Sequence, residues 1–329
     1  MSLVARSSRL PVDRFLLAIV VAAAVALLLP ASGVGAEAVT VGTKVLIFVL
    51  FFLYGARLHP REALAGLKNW RLHLTILAFT YVVFPLVGLG LHLFSPWLIS
   101  AAVLPGLVYL TLCPSTVQSS INFTSIARGN VAGAIVSASA SNLLGVVLTP
   151  LWAIALMNAT GGARVGFGAI GDLALQILLP FVLGQLSRRW TAGFVAAHPR
   201  LKLVDQASIV LVVYAAFAEG ARERIWSQVS AIDLVVITVV CLAILAFMLW
   251  LTWMSATRLG FDRADAIAIQ MCGTKKSLAT GLPMAMVLFG GGSVGLIVLP
   301  LMVFHQAQLM ACSALASRYA RGEAGEGTR

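Results

Sequence analysis

The longest stretches without a charged residue constrain this chain more than any other feature. No Asp, Glu, Lys or Arg occurs in residues 15–36, 72–127, 129–163, 234–257 or 277–317. A helix of about 20 apolar residues crosses the hydrocarbon core of a bilayer. Windows 72–127 and 277–317 are therefore too long for one crossing each. Turn-like breaks at Ser95-Pro96 and at Gly290-Gly291-Gly292-Ser293 divide them. Hydrophobic residues make up 60% of the 329 and charged residues only 11%, whereas an ordinary soluble domain is about 25% charged. Too little polar surface is left to coat a globule of this size. The fold class that follows is an all-α polytopic membrane protein. Soluble sandwiches and doubly wound folds are excluded, and the runs lack the alternation over about ten residues that marks a membrane β-barrel.

Ten spans account for the pattern: residues 15–29, 39–56, 74–93, 98–127, 131–157, 166–187, 203–221, 232–256, 264–289 and 294–317. With both termini cytoplasmic, 17 of the 23 Lys and Arg fall on the inside and four on the outside (Lys44, Arg164, Arg222 and Arg224). Such a split is the positive-inside signature. It makes the net charge of +11 a topology device rather than a nucleic-acid footprint. The remaining two, Lys275 and Lys276, fall inside span nine. Arg6, Arg9 and Arg14 before a short apolar run, with small residues up to Ala36, also have the shape of a signal peptide. A count of five plus five favours a retained helix. The division is then a cytoplasmic N-terminus (1–14), a first repeat (15–160), a second repeat (161–317) and a disordered Gly/Glu-rich cytoplasmic tail (318–329).

Two spans are interrupted. Span four carries Cys113-Pro114-Ser115-Thr116-Val117-Gln118-Ser119-Ser120-Ile121-Asn122 at its middle, and span nine carries Gln270-Met271-Cys272-Gly273-Thr274-Lys275-Lys276-Ser277. Each reads Cys, then Pro or Gly, then Ser or Thr. Each sits fourth in its half of five, and an odd count makes the halves cross the membrane in opposite senses. Interrupted segments at matching places in two halves point to the binding site of an inverted-repeat transporter. The second half-helices would start at the midplane with free N–H groups suited to an anion. The first would end with free carbonyls suited to a cation. For span four alone a simple proline kink is an equal alternative. A charge at a helix centre costs about 2.5–3.5 kcal/mol, so two adjacent lysines are poor packing residues; the competing role is snorkelling or carbonyl capping.

These residues, with the turn Ala127-Arg128-Gly129-Asn130 and the run Gly273–Ala279, resemble the bile acid:sodium symporter superfamily, closest to its SBF-like bacterial branch. The resemblance covers nearly the whole chain. It implies a panel (spans one, two, six and seven) and a core (three to five, eight to ten) with spans four and nine broken and crossing. Substrate would bind between panel and core, in a bacterial inner membrane. The implied ion and substrate site comprises Ser115, Thr116, Gln118, Ser119, Ser120, Asn122, Gln270, Thr274, Lys275, Lys276 and Ser277. Thr80, Ser137, Ser141, Gln176, His305 and Gln306 stand behind it. The pattern departs from the family where a sodium-binding glutamate becomes Gln270, the following glutamine Thr274 and the next asparagine Lys275. A site that loses a carboxylate and gains ammonium groups implies weak or absent sodium dependence.

The expected function is a secondary transporter of a small organic anion by alternating access, coupled to sodium or protons. Sodium is a candidate ion beside the proton, and no cofactor is expected. A passive anion channel is the alternative, and an intramembrane enzyme a more distant one: Gly171-Asp172 has no partner aspartate inside a span, and Ser293 with His305 would be a bare pair. The partners are an anionic small molecule and the lipid bilayer. No basic stripe interleaved with aromatics suggests nucleic acid, and no GxxxxGK[ST] suggests a nucleotide. Cys113, Cys241, Cys272 and Cys312 lie in apolar segments without metal or disulfide spacing.

Overall fold

The computed structural model describes residues 14–57, 69–95, 97–157, 171, 174–224, 227, 229–290 and 294–326. Expectations placed on Arg6, Arg9, Arg61, Lys68, Pro96, Arg164, Asp172, residues 291–293 and Arg329 lie outside the described residues. Among the described residues every regular element is helical. We number them α1 (Arg14–Leu28), α2 (Val34–Arg57), α3 (Trp70–Phe94), α4 (Leu104–Leu112), α5 (Gln118–Ile126), α6 (Val131–Met157), α7 (Leu179–Ala197, after a π-helical turn Ala174–Leu178), α8 (Leu201–Arg222), α9 (Ala231–Arg258), α10 (Arg263–Gly273), α11 (Leu278–Phe289) and α12 (Val294–Glu326).

Six of these contain stretches long and apolar enough to cross a membrane: α2, α3, α6, α8, α9 and α12. The other expected spans differ for identifiable reasons. Spans four and nine are each split into two short helices, α4 with α5 and α10 with α11. α1 has only 15 residues. The start of span six lies outside the described residues. One expectation needs correction. The segment after residue 317 continues α12 as helix to Glu326. Tyr319 stacks on Trp253 of α9, ring centroids 5.2 Å apart, and its hydroxyl donates to Gln270 Oε1 at 2.8 Å. An aromatic anchored this way holds a helix that composition alone reads as a loose tail.

Local chemistry sets the helix ends. Ser230 and Asp233 form a capping box at the start of α9. Asp262 caps α10 by accepting from the Asp265 N–H at 2.8 Å, and Asn130 caps α6 by accepting from the Gly133 N–H at 2.8 Å. Asn130 also donates to Asp265 Oδ1 at 2.7 Å, and its N–H donates to the Ala264 carbonyl at 2.9 Å. The turn after α5 is thereby tied to the first turn of α10.

α1 packs on α8, while α2 packs on α7 and α8. The α2–α7 pair approaches closely, because Gly55 and Gly184 face backbone. A Cβ at Gly55 would overlap the Phe181 carbonyl, and one at Gly184 the Phe52 carbonyl. Small residues that admit such approach are the usual glue between membrane helices. Backbone cannot rotate aside as a side chain can, so Gly184→Ala should lower stability by about 1–3 kcal/mol. A thermal midpoint unchanged in detergent would contradict this packing.

Candidate functional site

The two interruptions lie against each other. The Ser277 N–H donates to the Pro114 carbonyl at 2.8 Å, and Ser115 Oγ donates to the Cys272 carbonyl at 2.6 Å. α6 closes the third side: the Ser115 N–H donates to Ser141 Oγ at 3.0 Å, and Asn142 donates to the Ser115 carbonyl at 2.7 Å. Tyr81 of α3 donates to the Ser141 carbonyl. Non-helical backbone at membrane depth is tolerated only where such partners satisfy it, and here side chains of α6 and of Ser115 do so.

Lys275 and Lys276 are both 0% exposed, yet their surroundings differ. Lys276 Nζ donates to three main-chain carbonyls: Cys113 at 2.7 Å, Thr111 at 2.8 Å and Thr80 at 3.1 Å. It also lies 4.0 Å from the centroid of the Phe84 ring, close enough for a cation–π contact. Three acceptors require three N–H donors, which only the ammonium form has. Lys275 Nζ has one acceptor among the described residues, the Ser119 carbonyl at 2.9 Å, and sits 4.1 Å from the centroid of the Phe123 ring. Lys276 thus holds the three free carbonyls, and Lys275 keeps donor capacity in reserve.

The three carbonyls are available for a reason. In α3 the Phe84 N–H reaches back to the Phe79 carbonyl, one residue beyond the α-helical partner. The corresponding donor to the Thr80 carbonyl would come from residue 85, a proline without an N–H. Thr111 loses its helical donor because the Ser115 N–H has turned to Ser141. Cys113 is already extended, at φ −68° and ψ 151°. A π-turn, a proline and a helix end together leave three oxygens facing one point.

Other expected residues fall into three groups. Gln270 is buried; its amide donates to the Leu249 carbonyl at 2.9 Å and accepts from Tyr319. Thr274 Oγ1 caps the Gln270 carbonyl at 2.7 Å. Ser277 caps α11. Thr116 Oγ1 shares hydrogen bonds with Ser119 Oγ at 2.5 Å and Ser120 Oγ at 3.2 Å. Gln118 and Asn122 instead lie one turn apart on the exposed face of α5. Behind the crossing, Ser137 Oγ and His73 Nδ1 are 2.6 Å apart. Gln306 is half-buried, and its Oε1 has no hydrogen-bond partner among the described residues.

Gln176 sits elsewhere. It lines a cavity of about 280 Å³ between α2, α8 and α11 with Lys44, Glu219, Arg222 and the buried Thr43, whose Oγ1 has no hydrogen-bond partner among the described residues.

Gln308 is the residue that sequence reasoning undervalued. Its Oε1 accepts from the Lys276 N–H at 2.8 Å and its Nε2 donates to the Lys276 carbonyl at 2.8 Å. One amide from α12 therefore replaces both backbone bonds that Lys276 loses when the helix unwinds. His305 Nδ1 lies 2.9 Å from Gln308 Nε2. Its spacing of three residues from His305 was the available signal, since both then face one side of α12. Gln308→Ala should leave the buried Lys276 N–H unpaired, at about 1–3 kcal/mol, and its carbonyl with His305 Nδ1 at 3.3 Å. The check is a thermal midpoint below wild type with Gln306→Ala, at a half-buried amide, as the milder control.

A family model described as the SBF-like CPA transporter family matches residues 13–321. The uncharacterized protein PA2026 of Pseudomonas aeruginosa is 48% identical over 310 residues, covering 94% of this chain and 93% of that protein. The Escherichia coli protein named "Putative symporter YfeH" is 44% identical over 280 residues, 85% of this chain and 84% of its own. Sodium/bile acid cotransporter 7 of Rattus norvegicus is 32% identical over 310 residues, 92% and 90% respectively.

Proposed function

Because the chain belongs to the SBF-like CPA transporter family, we propose that it is a secondary active transporter moving a small organic anion by alternating access. The observation that carries this reading is the pair of interrupted helices bonded to each other at Ser115–Cys272 and Pro114–Ser277, with two enclosed lysines beside them. A channel needs an open path through that point, whereas here it is filled by backbone and hydroxyls. The names of relatives, one a symporter and one a sodium/bile acid cotransporter, support transport of a solute together with an ion.

In this reading the ten spans form two inverted repeats. The group α1, α2, α7 and α8 is the panel, and the remaining helices form the core. α8 touches both α11 and α12, so it is the panel helix along which the core would slide. The cavity with Lys44, Arg222 and Gln176 is the outer approach for the anion. Lys275, with donor capacity to spare, is the residue that meets it at the crossing. Gln270, bonded to Leu249 and Tyr319, supplies no carboxylate for sodium, and coupling to protons or weak sodium coupling follows.

Reconstituted protein should accumulate an organic anion against its gradient when an ion gradient is imposed. Flux that only equilibrates the anion, with no response to any ion gradient, would favour the channel. The membrane is proposed to be the bacterial inner membrane with both termini inside. A cysteine added at residue 2 should resist membrane-impermeant maleimide in intact cells and react after lysis.

A further inference from the structure

We propose that the Cys113, Thr111 and Thr80 carbonyls form a monovalent cation site that the chain keeps filled with its own Lys276 ammonium. Three observations converge on it. The oxygens lie at 2.7, 2.8 and 3.1 Å from a single Nζ. They come from two separate helices, α3 and α4, so their convergence is a property of the fold and not of one helix end. The π-turn at Phe79–Val83 and Pro85 strip the Thr80 carbonyl of its helical donor and leave it free for the ammonium.

Carbonyl oxygens around a point replace the hydration shell of an alkali cation. The ring of acceptors is neutral, and among the described residues no group of three or more His, Cys, Asp or Glu assembles. A divalent ion would call for carboxylates; a single positive charge does not. Lys276 delivers that charge on a tether. Its backbone is held in place by Gln308, so the ammonium returns to one position rather than sampling several. A bound alkali ion leaves for solvent during a transport cycle, but a tethered one stays with the core. The consequence for coupling, that sodium is not carried at this point, rests on the transporter reading above. Occupancy of the site does not.

The test compares purified full-length wild type, Lys276→Ala, Lys276→Met and Lys275→Ala. Thermal midpoints are read in sodium chloride and in choline chloride of equal ionic strength. Wild type should show no sodium-specific shift. Lys276→Ala vacates the space, and its midpoint should fall in choline and rise with the logarithm of sodium concentration, as linkage to one site requires. Lys276→Met fills the space without charge and should not respond. Lys275→Ala, which removes a lysine with one carbonyl partner, should not respond either.

A sodium-specific rise in wild type or in Lys275→Ala as large as that in Lys276→Ala overturns the assignment. So does a folded Lys276→Ala that ignores sodium, or one recovered in neither salt, since a vacated cage that sodium cannot fill is not a cation site. Anion flux in proteoliposomes reports on the transporter reading separately: flux can fail while the sodium response of Lys276→Ala persists, and the reverse.

Discussion

Lys275→Ala should abolish anion flux while the protein still inserts and folds. The side chain is fully buried, but its only acceptor among the described residues is the Ser119 carbonyl on α5. Few of the contacts that hold the crossing together run through it. Ser115, Asn142 and Gln308 bond the two breaks without its help. What it does supply is a positive charge beside α5, whose first turn is Gln118-Ser119-Ser120, where the helix dipole also favours an anion. A buried ion pair broken on one side costs about 3–5 kcal/mol, which is about 100-fold or more in affinity. Uptake of the transported anion into proteoliposomes should fall to background, with an elution profile and thermal midpoint close to wild type. Wild-type rate and affinity in this variant would remove Lys275 from the site. Lys275→Arg keeps the charge and should retain part of the flux.

The second large effect is structural. Lys276→Glu should prevent the crossing from forming. Three carbonyl oxygens and the face of the Phe84 ring present negative charge to this point. A carboxylate placed there meets four repulsive neighbours and no donor, and burying an uncompensated ion costs several kcal/mol. Monodisperse protein should be recovered in much lower yield than for Lys276→Ala. Comparable yield and midpoint for the two variants would show that the carbonyls turn away easily and that the lysine is not what gathers them.

The architecture was legible where charge and proline speak for themselves. Uninterrupted apolar windows marked the membrane helices, and Pro114 and Gly273 marked both breaks. Lys275 and Lys276 stood out because charge is rare in such windows. The division of labour between the lysines was not legible, since it depends on main-chain oxygens that have no side-chain signature. Thr80 was singled out for its hydroxyl, which merely bonds back to the Ile76 carbonyl at 3.0 Å; its own carbonyl is the part that touches Lys276. Gln308 was hidden for a similar reason, because which face of α12 meets the break depends on helix rotation. Gln176 was picked out by polarity alone, and it lines the cavity between α2, α8 and α11. Tyr319 was lost at the edge of a tail whose glycines and glutamates drew the eye away from it.

A cage built from main-chain oxygens has an unusual mutational profile. Replacing the side chains of Thr80, Thr111 or Cys113 leaves each acceptor where it was, so substitution at the contacting positions is a poor probe of the site. Sensitivity is displaced to residues that touch nothing charged: Pro85, which withholds an N–H, and Ser141, which draws the Ser115 N–H away from Thr111. Pro85→Ala would restore a donor and let α3 compete with Lys276 for the same oxygen. A saturation scan of this protein should therefore show Thr80, Thr111 and Cys113 more tolerant of small replacements than Pro85 and Ser141, the inverse of the map expected for a binding site made of side chains.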